Sequence, residues 1–304
     1  MKKLGYYSIL AGLFVFLLAG GFLLLSYFRD YHSQAAVTTA KPMTEQIALQ
    51  KVSDKSFKAA RTFLVSDIHG RFDSFKKALA AVKFSKADQL FVLGDTIDRG
   101  PAGFHALLYL TQTLPARGYH VTVLTGNHED MWLPMASDGA TDAQQLANLK
   151  QAIAQYGANV PNGWAESEAE WVKLSATERA FLLKEMANGF GEPRELIIKV
   201  NDKWLSLSHS ADFSKPINQQ TAWDLSWNNK NMRNAPATFR QSFAAKMQVP
   251  IGQTQVFIGH ISNILFGINP EFVDLDDTIV RTDIKGFDAV PVQIFCLNDQ
   301  KFYQ

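Results

Sequence analysis

The chain has 304 residues, 47% of them hydrophobic and 19% charged, which is enough to bury a substantial core and too apolar for a disordered protein. Its 30 basic and 29 acidic residues leave a formal net charge of +1. That balance gives no electrostatic footprint for nucleic acid, so no nucleic-acid partner is expected and any anion must be met locally. Cys296 is the only cysteine, which excludes an intrachain disulfide and a cysteine metal site; within the apolar run Pro291 to Asn298 it is assigned to core packing.

Leu4 to Phe28 contains no charged residue and is dense in Leu, Phe, Gly and Ala. The run exceeds the roughly 20 residues that cross a hydrocarbon core, and its apolar side chains lie on every side. Residues 1–30 are therefore predicted to be a retained transmembrane helix. The alternative is a cleaved secretory signal, with small residues between Ser33 and Ala40 where a peptidase would act. Lys2 and Lys3 precede the span, while Arg29 and Asp30 partly cancel after it. This favours a cytoplasmic N-terminus with the bulk of the chain extracytoplasmic; signal cleavage would secrete that bulk instead. Residues 31–60 read as a polar juxtamembrane linker, with a helical piece around Met43 to Val52. Residues 61–304 form one domain.

Within that domain, Thr62 to Ser66 has a buried-strand pattern ending on Asp67, and Phe72, Phe75, Leu79 and Val82 then follow at helical spacing. Leu90 to Leu93 is the next strand and ends on Gly94 and Asp95, and Pro101 opens a helix carrying Phe104, Leu107, Leu108 and Leu110. Tyr119 to Leu124 alternates into a third strand ending on Gly126, Asn127 and His128. Asp138 to Gly191 is predicted mostly helical, with a capping-box signature at Ser175 to Glu178 and a stop at Gly189. Leu196 to Val200 and Trp204 to Ser208 read as a hairpin that delivers His209. Gln255 to Ile258 ends on Gly259 and His260, and Thr278 to Arg281 and Val290 to Leu297 complete a strand-rich half without clear helices. Two packed sheets with helices outside are the expected α/β architecture.

The acid and histidine clusters all sit just past carboxyl ends of strands, where loops of an α/β sheet converge on one crevice. Hydrolysis of a phosphate ester is helped by two divalent cations about 3.5 to 4 Å apart, held by a bridging carboxylate and a mixed oxygen and imidazole shell. Asp67, His69, Asp95, Asn127, His209 and His260 supply that set. Such a shell suits Mn, Fe or Zn better than Ca. Helix capping is the competing account of Asp67, Asp95 and Asn127, but it does not explain three clusters in register.

Ser66-Asp67-Ile68-His69-Gly70, Gly94-Asp95-Thr96-Ile97-Asp98-Arg99-Gly100 and Gly126-Asn127-His128-Glu129 resemble the signature of the calcineurin-like metallophosphoesterases, and most closely their phosphoprotein phosphatase branch. The second and third clusters match in full, while Ser66 stands in place of the usual first glycine. The resemblance implies a four-layer αββα sandwich. It also implies that Asp67 and His69 hold one metal, that Asp95 bridges, and that Asn127, His209 and His260 hold the second. His128 would be the general acid, oriented by Asp98, and Arg99 would grip phosphate. A second phosphate-gripping arginine is expected between His209 and His260, with Arg233 chosen and Arg240 in reserve. Glu129 is assigned to loop support. Trp223 and Trp227 are assigned to core packing rather than the cleft wall, and His32, His105 and His120 to no metal.

The expected activity is hydrolysis of phosphomonoesters by a metal-activated hydroxide, with phosphoserine or phosphothreonine in proteins as the first substrate class. A symmetric dinucleoside polyphosphate hydrolase is the enzymatic alternative. A non-catalytic interaction module on the same fold is the other, but the chain keeps both His128 and Asp95.

Overall fold

The structure is a computed structural model that describes residues 50–53, 59–132, 144, 147, 164–228, 237–261, 272–276 and 290–304. The apolar run Leu4 to Phe28, Arg233 and the expected strand Thr278 to Arg281 lie outside the described residues. Among those described, no helix is long and apolar enough to cross a membrane.

Two five-stranded mixed sheets form the centre. In the first, β2 (Thr62–Val65), β3 (Gln89–Val92) and β4 (His120–Val123) are parallel neighbours, and β9 (Ile294–Cys296) and β10 (Lys301–Tyr303) extend the sheet antiparallel from β2. In the second, β5 (Glu195–Val200) and β6 (Lys203–Ser208) make the expected hairpin, turning through Asn201 at a φ of 54°. β1 (Gln50–Ser53) lies parallel to β5, and β7 (Thr254–Ile258) and β8 (Phe272–Asp274) follow parallel to β6.

Strand alternation divides the core into layers. Leu64 of β2, Phe91 of β3, Leu196 and Ile198 of β5, and Phe257 of β7 point between the sheets and meet there. Their neighbours Phe63, Val65, Leu90 and Val92 face the opposite way, onto helices α1 (Phe72–Ala81), α2 (Gly103–Leu108), α4 (Trp164–Trp171) and α5 (Ala176–Ala187). On the far side, Ile197, Val256 and Ile258 pack under Phe239 and Phe243 of α7 (Ala237–Met247). Each buried Phe, Leu or Ile removes enough apolar area from water to contribute about 1.5 to 3 kcal/mol. The result is the helix, sheet, sheet, helix order.

Several local expectations need correction. Gln50–Ser53 is an edge strand, not part of a helix, because the backbone of Glu195 to Ile198 offers it a parallel ladder. α2 starts at Gly103, after Pro101, and continues through a π turn at Tyr109–Thr113 into Leu114–Ala116. The later half is not built from strands and hairpins alone. β6 and β7 are parallel, and α6 (Asp224–Trp227) and α7 lie between them. A parallel pair requires such a crossover. The run from Pro291 is strand only at Ile294–Cys296, and Cys296 is buried, as expected.

Candidate metal centre

Each parallel strand ends where its backbone can hand a side chain to the space between the two sheets. Asp67 follows β2, Asp95 follows β3, and Asn127 opens α3 (Asn127–Trp132) after β4, while His209 and His260 follow β6 and β7. Backbone bonds tie these ends together: Asp67 N–H donates to Gly94 O at 3.1 Å, and Gly259 N–H to His209 O at 3.0 Å. Asp67, His69, Asp95 and His260 have φ values of 54°, 47°, 53° and 74°. Non-glycine residues avoid this left-handed region unless their surroundings impose it, and such strain concentrates at functional sites.

One oxygen organises the cluster. Oδ2 of Asp95 lies 3.5 Å from Nε2 of His69, 3.4 Å from Nε2 of His209 and 3.9 Å from Nε2 of His128. Asp67 Oδ1 is 3.6 Å from His69 Nε2. Asn127 Oδ1 lies 3.0 Å from His209 Nε2 and 2.9 Å from His260 Nδ1. Ligand atoms of His69, Asp95 and His128 lie within 4.8 Å of one another, as do those of Asp95, His209 and His260. The two groups share Asp95.

The other ring nitrogens aim the imidazoles. His69 Nδ1 donates to Ile97 O at 2.9 Å and His209 Nδ1 to Leu93 O at 2.7 Å, which leaves each Nε2 facing inward. Burial, with the nearby charge of Arg99, pushes His69 down to about 3; burial, with His209, pushes His260 down to about 4. Both rings are therefore neutral at pH 7 and present lone pairs. His209 differs: burial pulls it down, but the charge and hydrogen bond of Asp95 hold it at about 10. Burial would raise the carboxyls of Asp67 and Asp95, yet the surrounding imidazoles keep both below the usual range. Ionised carboxylates, an amide oxygen and inward imidazoles are the donor set of a divalent cation pair. The residues present fit that group.

Two glycines set the clearance. A Cβ at Gly126 would stand 2.5 Å from Asp95 N, and one at Gly259 would collide with Ser66 and Asp67.

The remaining expected residues fall as follows. Asp98 is fully buried and its Oδ2 accepts from His128 Nδ1 at 2.8 Å. Arg99, half-buried, is close enough for its charge to act on His69. Arg240 is not brought to the cluster: its Nη2 donates to Ile251 O at 3.3 Å, at the amino end of β7, whereas His260 follows the carboxyl end. Glu129 supports loops, accepting the N–H groups of Asp95, Thr96 and Gly126 at 2.9, 2.8 and 2.9 Å. Trp223 and Trp227 stack on each other, centroids 5.0 Å apart, and both are half-buried. His105 is held by Glu170 at 2.6 Å, away from the cluster.

Some residues of the site were not anticipated. Arg71 is buried and clamps the first loop, donating to Ile68 O at 3.0 Å, Asp67 O at 2.7 Å and Pro291 O at 3.1 Å. Its place directly after the first cluster is the signal that would have found it. Trp132 donates to Asp98 from one helical turn beyond His128, a spacing legible in the sequence. Ser167, the other donor to Asp98, has no sequence signal.

The model of the calcineurin-like phosphoesterase family matches residues 60–261. The symmetrical bis(5'-nucleosyl)-tetraphosphatase of Serratia proteamaculans (strain 568) is 41% identical over 69 residues, 22% of this chain and 23% of that protein. The enzyme of the same name from Yersinia pestis (strain Pestoides F) is 39% identical over 69 residues, 22% of each chain. The chain thus spans less than a quarter of the length of these curated relatives. Among solved structures, a protein serine/threonine phosphatase from Saccharomyces cerevisiae with similarity to human phosphatase PP5 is 15% identical, with a TM-score of 0.42 over 77% of this chain and 69% of that one. The family match covers most of the chain and every residue of the cluster, so the chain belongs to the calcineurin-like phosphoesterase family.

Proposed function

We propose that this protein is a membrane-attached phosphatase that hydrolyses phosphomonoesters, with phosphoserine or phosphothreonine side chains as its first substrate class. The observation that carries the reading is Asp95 Oδ2, set between the inward nitrogens of His69 and His209. Asp67, His69 and Asp95 would hold one divalent cation, and Asp95, Asn127, His209 and His260 a second. Mn, Fe and Zn suit the mixed shell. Bound there, the pair would neutralise phosphoryl charge and activate the attacking water.

The chain's own residues supply the rest. His128 donates Nδ1–H to Asp98, so its Nε2 is the atom turned to the cluster. That nitrogen lies farther from Asp95 Oδ2 than those of His69 and His209, and when it too carries a proton it can pass that proton to the leaving oxygen. Arg99 carries a planar fork suited to phosphate oxygens. The charge-free run Leu4 to Phe28 supports membrane attachment, with Lys2 and Lys3 on the cytoplasmic side.

A second reading, symmetric hydrolysis of a dinucleoside tetraphosphate, is favoured by the local identity to enzymes of that name. Turnover of a phosphoserine peptide, an aryl phosphate and a dinucleoside tetraphosphate by the full-length protein separates the two. Faster cleavage of the peptide supports the phosphatase; faster cleavage of the dinucleotide overturns it. Alkaline washing of membranes tests the anchor, and release of the intact chain would contradict it.

A further inference from the structure

We infer that Ser167 and Trp132 are positioning residues for the proton donor, acting through Asp98 and resting on the phosphatase reading above. Asp98 is a fully buried carboxylate with both oxygens engaged. Oδ2 accepts from His128 Nδ1 at 2.8 Å, and Oδ1 accepts from Ser167 Oγ at 2.7 Å and from Trp132 Nε1 at 3.1 Å. A carboxylate held on one oxygen alone can swing about its last side-chain torsion, which is broad. Donors on Oδ1 stop that swing and leave Oδ2 aimed at the imidazole. Asp98 then keeps Nδ1–H bonded and steadies the imidazolium, whose second proton, on Nε2, is turned to the reacting side for transfer to the leaving oxygen.

The backbone at Asp98 does not hold this geometry unaided. Asp98 and Arg99 have φ values of 65° and 66°, successive left-handed residues that need outside ties. Helix α4 supplies one. Ser167 reaches Asp98, and one turn later Glu170 accepts the N–H groups of Phe104 and His105 at 3.0 and 2.7 Å, docking the same helix face onto the start of α2. Trp132 is fixed as well: its ring stacks on Trp164, centroids 5.6 Å and planes 6° apart, and meets Phe104 edge-on at 4.6 Å. Trp164 belongs to α4, so serine and indole reach the carboxylate from two elements, α4 and α3, that are packed on each other. Both lie outside the three sequence clusters.

The test exploits what a general acid does. Proton donation matters for a poor leaving group and little for one that departs as a stable anion. Full-length wild type, Ser167→Ala, Ser167→Thr and Trp132→Phe are loaded with Mn²⁺ and compared on an alkyl phosphate, phenyl phosphate and dinitrophenyl phosphate, with bound Mn per chain measured on each. Trp132→Phe keeps an aromatic side chain while removing the donor and part of the ring volume, and its KM and bound Mn report any wider disturbance, so the test stands if Ser167→Ala does not fold. We expect kcat of Ser167→Ala and Trp132→Phe to fall about tenfold or more on the alkyl phosphate and less than about threefold on dinitrophenyl phosphate. KM and bound Mn should match wild type, and Ser167→Thr should restore turnover. Equal losses across the leaving groups, loss of Mn, or no rescue by threonine would overturn the proposal while wild type remains active. A wild type that turns over none of the esters overturns the phosphatase reading itself.

Discussion

Nε2 of His209 lies 3.4 Å from Oδ2 of Asp95, joining the end of the second sheet's hairpin to the turn after β3 in the first sheet. This contact makes the metal-free centre pH-sensitive. Against the pull of burial, Asp95 holds the His209 imidazolium at about 10, so at neutral pH Nε2 carries a proton it must lose to become a ligand. His69 and His260, at about 3 and 4, have none to lose. Above pH 8, Mn²⁺ affinity should therefore rise by about tenfold per pH unit until about pH 10, with about one proton released per chain. Calorimetric titration in buffers of different ionisation enthalpy measures both; a flat affinity without proton release contradicts the arrangement.

The same shift has a consequence for folding. His209 is raised from 6.5 to about 10, so its contribution to the stability of the metal-free protein is complete below pH 6.5 and is lost as pH climbs through about 10. His209→Gln should remove that part of the alkaline decline in thermal stability. A variant whose decline matches wild type would show that the slope comes from elsewhere.

Removing the proton donor should separate chemistry from metal binding. His128→Asn is expected to leave bound Mn unchanged and to lower kcat by about 10² to 10⁴ on an alkyl phosphate. Steady-state turnover and metal analysis of the same sample check it. Loss of metal in this variant would make His128 a ligand, an arrangement its group with His69 and Asp95 would also permit.

Gly126 tests how tightly the bridge is held. With a Cβ only 2.5 Å from Asp95 N, Gly126→Ala must displace the Asp95 loop. The expected cost is about 1 to 3 kcal/mol of stability, with weakened Mn binding, measured by denaturant unfolding and metal titration. A distant control is Ser175→Ala. It removes the capping box of α5, and should lower Tm by about 2 to 4 °C with kcat unchanged.

The clusters around Asp67, Asp95 and Asn127 were legible because strand, tight loop and helix leave their marks over a few residues. The capping box at Ser175 and the hairpin ending on His209 were legible for the same reason. β8 was missed because three residues carry no period, and β1 because its pairing with β5 is entirely non-local. α7 buries Phe239, Phe243 and Ala244 amid polar neighbours, too narrow an apolar stripe to stand out. Arg240 lies between His209 and His260 in chain order, but its Nη2 donates to Ile251 O at the far end of β7. Ser167 could not be found at all, since its role depends on where α4 docks. The left-handed backbone at Asp67, His69 and Asp95 is likewise imposed by tertiary contacts and has no local signature.

Metal analysis after Mn²⁺ reconstitution of full-length wild type and Asp95→Asn tests the central claim, that one carboxylate joins two cation sites, most directly. The account predicts about two Mn per chain in wild type and almost none in the variant. A wild type that retains at most one Mn, or an Asp95→Asn protein that still holds two, would contradict it.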